Sequence, residues 1–263
     1  MRDEAERRFW RDAWQSVPTD VAREHGIELR DFGPVQATVV SSLPRSRMLN
    51  LVLGATEPGA IADGHLAQTL EWAGSRGVGA CVPVTPGAPE ADAAEGWLRA
   101  SGYEPGYAWM KFTRDAHPPR FRAPEVEVTE LTGAEDDPFG MIAATGFGLP
   151  HWASTLFAHL PGRAGWHCYV ARVDGVAQAC AAMLIHEGVA EFGIAATLEP
   201  ARGLGCQQAL LHRRIVDAAA AGCHSFTVET GERIPGQPSP SYRNILRAGF
   251  EEAYLRPNWE RAS

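Results

Sequence analysis

Three segments follow one another in this chain: an apolar run over residues 192–198, the turn Arg202-Gly203-Leu204-Gly205-Cys206-Gln207, and Leu210, Leu211, Ile215 and Val216 at helical spacing. The run reads as a strand, the paired glycines as a turn and the periodic segment as a helix. The fold must therefore join a strand to a helix through a glycine-rich turn. That order also makes an anion site. Glycines let backbone N–H groups crowd around a phosphate, and the helix N-terminus adds its partial positive charge. Arg202, Arg213 and Arg214 lie close by and can supply a local basic patch.

The bulk properties limit the partners. A net charge of −8 argues against nonspecific nucleic-acid binding, which needs clustered Lys and Arg. It leaves room for a small anionic ligand held by one patch. Five cysteines, odd in number and without CxxC spacing, predict a reduced, cytoplasmic protein without structural zinc. The charged N-terminal stretch lacks the apolar centre of a signal peptide. No run approaches the ~18 apolar residues a membrane span requires.

Pro118 and Pro119, in the polar segment Arg114-Asp115-Ala116-His117-Pro118-Pro119-Arg120, cannot sit inside a helix or a central strand. A linker there separates an expected first domain, 1–122, from a second, 123–263. In the first, helices are expected at 3–15, 61–75 and 90–101, and strands at 35–41, 48–53, 79–85 and 107–112. In the second, strands are expected at 126–131, 166–172, 177–185, 189–197, 225–230 and 250–255. Helices at 136–145, 151–160, 205–221 and 241–248 interrupt them. Asp174-Gly175 predicts a hairpin turn and Gly222 a helix C-cap. The pattern is α/β (α+β). The halves also echo each other: Leu98-Arg99-Ala100-Ser101-Gly102-Tyr103 parallels Leu246-Arg247-Ala248-Gly249-Phe250, as two tandem copies of one fold would. The first-half counterpart of the glycine turn, Gly54-Ala55-Thr56-Glu57-Pro58-Gly59, carries an acid and no base.

The motif Arg202-Gly203-Leu204-Gly205, with Pro200 before it and Leu210-Leu211 after it, resembles the signature of the GNAT (Gcn5-related N-acetyltransferase) superfamily. The later Ser241-Tyr242-Arg243-Asn244 with Gly249-Phe250 fits the same family, and the order of elements fits over about 125–259. This chain departs from the signature at Gln207, where a small residue is usual. The first half resembles, loosely, the degenerate partner domain of tandem GNAT proteins. The resemblance implies two GNAT-like domains, each a mixed central sheet flanked by helices, with acetyl-coenzyme A as co-substrate of the second. By the same resemblance Arg202, Gly203, Leu204, Gly205, Cys206 and Gln207 hold the pyrophosphate, with the Gln207 side chain expected to point away. Ala195, Ala196 and Thr197 hold the pantetheine arm and thioester, and Asn244 joins from the later helix.

The chemistry implied is attack of an amine on a thioester, which needs a base to take the amine proton. Glu191, on the strand before the turn, is the candidate base. The family's usual acid position holds Ile245 here, and Tyr242, one helical turn earlier, is the candidate substitute. Thiolate can also leave unassisted. His151, Trp152 and His159 are candidates for the acceptor side. Glu229 faces either the acceptor or a buried polar network. Cys206 is expected to have a lowered thiol pKa at the helix N-terminus. No spacing completes a metal site.

The expected function is transfer of an acetyl group to a primary amine on a small molecule, protein or peptide, by a soluble monomer or homodimer. Two alternatives stand beside it: transfer of a larger acyl group, and a protein that binds acyl-coenzyme A or a metabolite without turnover. Gln207 and Ile245 favour the binding protein.

Overall fold

A computed structural model describes residues 2–119, 121–133 and 138–262. The chain begins with α1 (Arg2–Gln15), α2 (Thr19–His25), β1 (Ile27–Phe32), β2 (Val35–Val40), β3 (Val52–Leu53), α3 (His65–Ser75) and β4 (Val82–Pro83). Next come α4 (Ala91–Ala100), β5 (Tyr103–Pro105), β6 (Trp109–Asp115), β7 (Glu127–Leu131), α5 (Phe139–Gly146), β8 (Trp166–Val173) and β9 (Val176–His186). The last elements are β10 (Val189–Thr197), α6 (Cys206–Ala220), β11 (Ser225–Gly231), α7 (Pro240–Arg247), β12 (Glu251–Arg256) and β13 (Asn258–Arg261). Short 3-10 turns occupy His151–Leu156 and Glu199–Ala201. The mixed α/β architecture is the one expected.

Two compact units divide these elements. One comprises Asp3–Met110 and the chain from Tyr254 onward, the other Lys111–Ala253. In the second unit the sheet runs β12-β6-β11-β10-β9-β8-β7. Strands β7 to β10 are antiparallel neighbours, and β10 pairs parallel with β11. The β8–β9 hairpin turns at Asp174-Gly175, both at positive φ (50 and 77), as a tight two-residue hairpin turn demands. Helix α6 buries Ala209, Leu210, Leu211, Arg214, Ile215 and Ala218 against this sheet, and Gly222 at φ 81 ends it. Val216, expected on the buried side, is exposed, and Arg214 is buried instead.

The first unit repeats that order in a shorter form. An antiparallel meander β1-β2-β3 is followed by α3, then β4, then α4 and β5. A parallel bridge, Leu51 to Cys81, links β3 to β4 as β10 is linked to β11. Its second sheet runs β4-β13-β5. Trp259 of β13 is buried in the core with Val35, Leu66, Trp72, Val82 and Leu98. Each half-sequence therefore supplies the strand that completes the other unit: β13 closes the first sheet, and β6 lies between β11 and β12 in the second.

This exchange moves the division of the chain. The units part at Met110/Lys111 and Ala253/Tyr254, inside strands, rather than at 122/123. Arg114 and Asp115, read as linker, end β6, and the buried Arg114 guanidinium donates to the carbonyls of Ala248, Asp115 and His117. Local sequence cannot show this, because strand pairing is decided by partners more than a hundred residues away. The segment 151–160, expected as α-helix, forms a 3-10 turn after Pro150. The start of the helix expected at 136–145 lies outside the described residues; its remainder is α5. Helix α2 and strands β1, β5 and β13 had no counterpart among the expected elements.

Candidate active site

The site is built where β10 leaves β11. The two strands pair from Val189–Phe192 against Ser225–Val228 and no further. The β9–β10 register then shifts between Gly193 and Ala196, with Ile194 at φ 45. A β-bulge bends a strand and breaks its ladder. Here it turns the end of β10 toward a cavity of about 460 Å³. Ala195, Ala196 and Thr197 border this cavity, as do Arg202, Gly203, Gly205, Cys206 and Gln207 of the turn. Asn244 reaches it from α7. Of the expected cofactor residues only Leu204, exposed to solvent, does not line it.

The backbone of the turn suits an anion. Gly203 and Gly205 adopt φ 85 and 86, a region closed to most side chains. A Cβ at Gly205 would press on Pro124, whereas the space beside Gly203 is open. Among the described residues, the amides of Gly203, Gly205, Cys206, Gln207 and Gln208 have no backbone carbonyl to donate to. Four of them, from Gly205 to Gln208, belong to the N-terminus of a fifteen-residue helix, where the first amides have no intrahelical partner.

The charge of the cavity has one sign. Arg202, Arg243 and Arg247 are exposed along it, Arg214 is buried beside it, and among the described residues no carboxylate lines it. Arg243 and Arg247 escaped the sequence reading, although their i, i+4 spacing on a helix after the turn was a usable signal. Arg213, expected to join the patch, instead pairs with Asp217 (2.6 Å) and Glu130 (3.8 Å).

No family model and no curated protein matches this sequence. Solved structures do. A GCN5-related N-acetyltransferase from Kribbella flavida superposes with a TM-score of 0.61 at 17% identity, covering 96% of this chain and 95% of its own. One from Sphaerobacter thermophilus gives 0.59 at 16%, covering 88% and 78%. A tandem GNAT protein from the clavulanic acid biosynthesis pathway gives 0.57 at 17%, covering 87% and 79%. The chain has the GNAT fold. At these identities the likeness carries the fold alone, and the chemistry rests on the residues.

Within this GNAT fold, the two catalytic candidates lie apart from the cavity lining. Glu191 is mid-strand in β10 and 4% exposed. Adjacent strand residues face opposite ways. Phe192 sits 4.6 Å under the Arg214 guanidinium of α6, so Glu191 faces away from α6. There it accepts a hydrogen bond from the Thr227 hydroxyl and pairs with the buried Lys111 ammonium at 3.8 Å. Lys111 also holds Glu229 at 3.1 Å. Glu191 is thus neither solvated nor isolated, and Lys111, on β6, was invisible as its partner in sequence. Glu229 is the first residue on β11 beyond the last β10 pair, and it is the more open carboxylate of the three-residue cluster.

Tyr242 lies on α7 packed edge-on against Phe112, with its hydroxyl donating to Glu252 at 2.6 Å. Burial and that carboxylate push the phenol from 10.0 up to about 12. Ile245 is buried. Gln207 corrects one expectation: its side chain borders the cavity, and its Oε1 accepts from Asn244 Nδ2 at 2.9 Å, tying the first turn of α6 to α7.

Cys206 corrects another. Burial raises its thiol pKa, outweighing the backbone N–H that lowers it. His151 and His159 are exposed and do not line the cavity, nor does Trp152. Among the described residues no group of three His, Cys, Asp or Glu side chains is placed to hold a metal, and all five cysteines are free and buried. No helix among them is long and apolar enough to cross a membrane.

Proposed function

We propose that the protein is an N-acyltransferase that takes its acyl group from a coenzyme A thioester, of which acetyl-coenzyme A is the simplest, and passes it to a primary amine. The observation that carries this reading is the cavity: among the described residues it has turn amides without carbonyl partners, four arginines and no carboxylate, in a chain of net charge −8. The pyrophosphate suits the turn 202–207 with Arg243 and Arg247 beside it. The pantetheine arm suits the backbone of Ala195, Ala196 and Thr197, freed from β11 by the bulge.

In the reaction the amine nitrogen attacks the thioester carbonyl carbon. An N–C bond forms, the C–S bond breaks, and the electron pair leaves on sulfur. A backbone N–H near the bulge polarises the carbonyl. The amine proton passes to the Glu191–Lys111–Glu229 cluster, Glu191 being the proposed base and Glu229 the member nearer solvent. Tyr242 is not required as an acid, because a thiolate leaves unassisted. The acceptor is a small-molecule or peptide amine, used by a cytoplasmic monomer or homodimer. The first unit is the degenerate member of a tandem pair.

One observation favours a second reading, a protein that holds acyl-coenzyme A without turnover. Tyr242 is committed to Glu252, and Glu191 is sealed by Thr227 and Lys111. Thiol release from acetyl-coenzyme A, screened against polyamines, amino acids, aminoglycosides and peptides, separates the two, with calorimetry alongside. Turnover supports the enzyme, binding without turnover supports the holder, and absence of binding overturns both. Glu191→Gln is expected to slow turnover about 100-fold and remove the acidic limb of the pH–rate profile. An unchanged profile removes Glu191 as base.

A further inference from the structure

The four arginines of the cavity are not equivalent. Arg202, Arg243 and Arg247 are exposed, where the phosphates of coenzyme A would lie. Arg214 is 1% exposed and lines the same cavity from within. Its Cα is nine residues into the helix from Gly205, roughly 13 Å along the axis.

Its surroundings are unusual for a cation. Nη1 donates to the Ala182 carbonyl at 2.9 Å and Nε to the Leu210 carbonyl at 3.3 Å, and the plane lies over Phe192. Ala182 pairs with Gly193, the last β10 residue before the register shift. The guanidinium therefore marks the end of the cavity away from the anion turn, near where β10 parts from β11. Holding these two carbonyls, of Ala182 and of Leu210, accounts for Nη1 and Nε. It leaves Nη2 with no acceptor, and no carboxylate within ion-pair distance, among the described residues. Burial lowers the group to about 10, so it is still charged at neutral pH. A desolvated charge without a counter-ion is costly, and such charges are normally paired.

We propose that the donor is a coenzyme A thioester whose acyl chain ends in a carboxylate, and that Arg214 at the inner end of the cavity receives that carboxylate. The assignment rests on the reading of the cavity as a coenzyme A site. A guanidinium edge matches a carboxylate with two parallel hydrogen bonds, and the pair gains strength away from water. An acetyl group offers no such partner and leaves the cation unbalanced. Arg214 is here a donor-selecting residue, and the transfer step is unchanged.

Calorimetry on the full chain with coenzyme A, acetyl-coenzyme A, malonyl-coenzyme A and succinyl-coenzyme A tests this. At least one of the two dicarboxylic thioesters is expected to bind about ten-fold or more tightly than acetyl-coenzyme A. Arg214→Gln is expected to erase that preference while coenzyme A itself binds within about three-fold of wild type. Arg214→Lys, which keeps the charge but not the fork, is expected to retain part of it. Equal wild-type affinity for all thioesters overturns the donor assignment and leaves the coenzyme A site standing. An equal loss for every ligand in Arg214→Gln shows a purely structural arginine and also overturns it. Failure of wild type to bind coenzyme A overturns the site reading itself.

Discussion

The segment after β3 in the first unit and the segment after β10 in the second hold the same place in the element order, yet their glycines and charges meet different surroundings. In the first, the N–H groups of Glu57, Ala60, Asp63, Gly64, Leu66 and Gln68 donate to carbonyls within residues 54–64, while those of Ala55, Thr56, Gly59, Ile61 and Ala62 have no carbonyl acceptor among the described residues. In the second, Arg202 and Leu204 donate locally, and five further amides have no carbonyl acceptor among the described residues. The glycines differ. A Cβ on Gly54 would run into the Pro34 carbonyl, whereas the space beside Gly203 is empty. Glu57 adds a carboxylate to the first turn, paired with Arg7 at 3.7 Å, where the second has arginines. Glycine content alone therefore does not make an anion site. What differs is the space beside the glycines and the sign of the charges around them.

The largest expected effect tests whether each unit depends on the strand it receives. Trp259→Ala should cost the first unit about 3–5 kcal/mol, the usual penalty for emptying an aromatic core position. Hydrogen exchange should show protection lost in β2, α3 and α4 and kept in β8 and β9. Uniform loss across both sets would break the two-unit description.

Charge comes next. Arg243→Glu with Arg247→Glu should weaken coenzyme A about 100-fold by calorimetry, roughly 3 kcal/mol. Glu57→Lys in the first unit should leave that affinity unchanged, because the Pro34 carbonyl crowds Gly54 where the space beside Gly203 is open. A gain of a second coenzyme A site in Glu57→Lys would dissolve the contrast.

A glycine pair sharpens the same point with smaller effects. Gly203→Ala should cost about 1 kcal/mol, from its positive φ alone. Gly54→Ala should cost about 2 kcal/mol or more, since φ 91 is joined by the collision with Pro34. Urea midpoints that rank them the other way would refute the packing argument.

The smallest effect concerns α7, whose Tyr242 side carries no cavity residue. The Tyr242 phenol is raised on folding, so its contribution is complete below pH 10.0 and declines as pH rises toward about 12. Tyr242→Phe should remove that part of the alkaline decline, seen in urea midpoints near about pH 9 and about pH 11. Coenzyme A affinity should not change; a marked loss would place Tyr242 at the ligand after all.

Much of the second unit was legible because its signals are local. The hairpin at Asp174-Gly175, the C-cap at Gly222 and the turn at Gly203 and Gly205 are positions where backbone geometry admits few residues. Ala195, Ala196, Thr197 and Asn244, which the family resemblance implied for the cofactor, border the cavity beside that turn. The chemistry-bearing pairs were not legible. Glu191 meets Lys111 and Thr227 across strands, and a titratable group's environment is set by neighbours that no local window contains. Cys206 shows the same limit, since its position predicts a lowered thiol and its burial decides for a raised one.

The sequence by itself determined the α/β class and the strand–turn–helix that can receive an anion. These rest on periodicity, φ preferences and residue chemistry, which act over a few residues. Only the tertiary structure decided that β6 and β13 complete the opposite units, that Arg214 is buried at the inner end of the cavity, and that Glu191 is sealed into a charged cluster. Those outcomes depend on strand partners far away in sequence and on which charges burial leaves without counter-ions, and both exist only once the chain has folded.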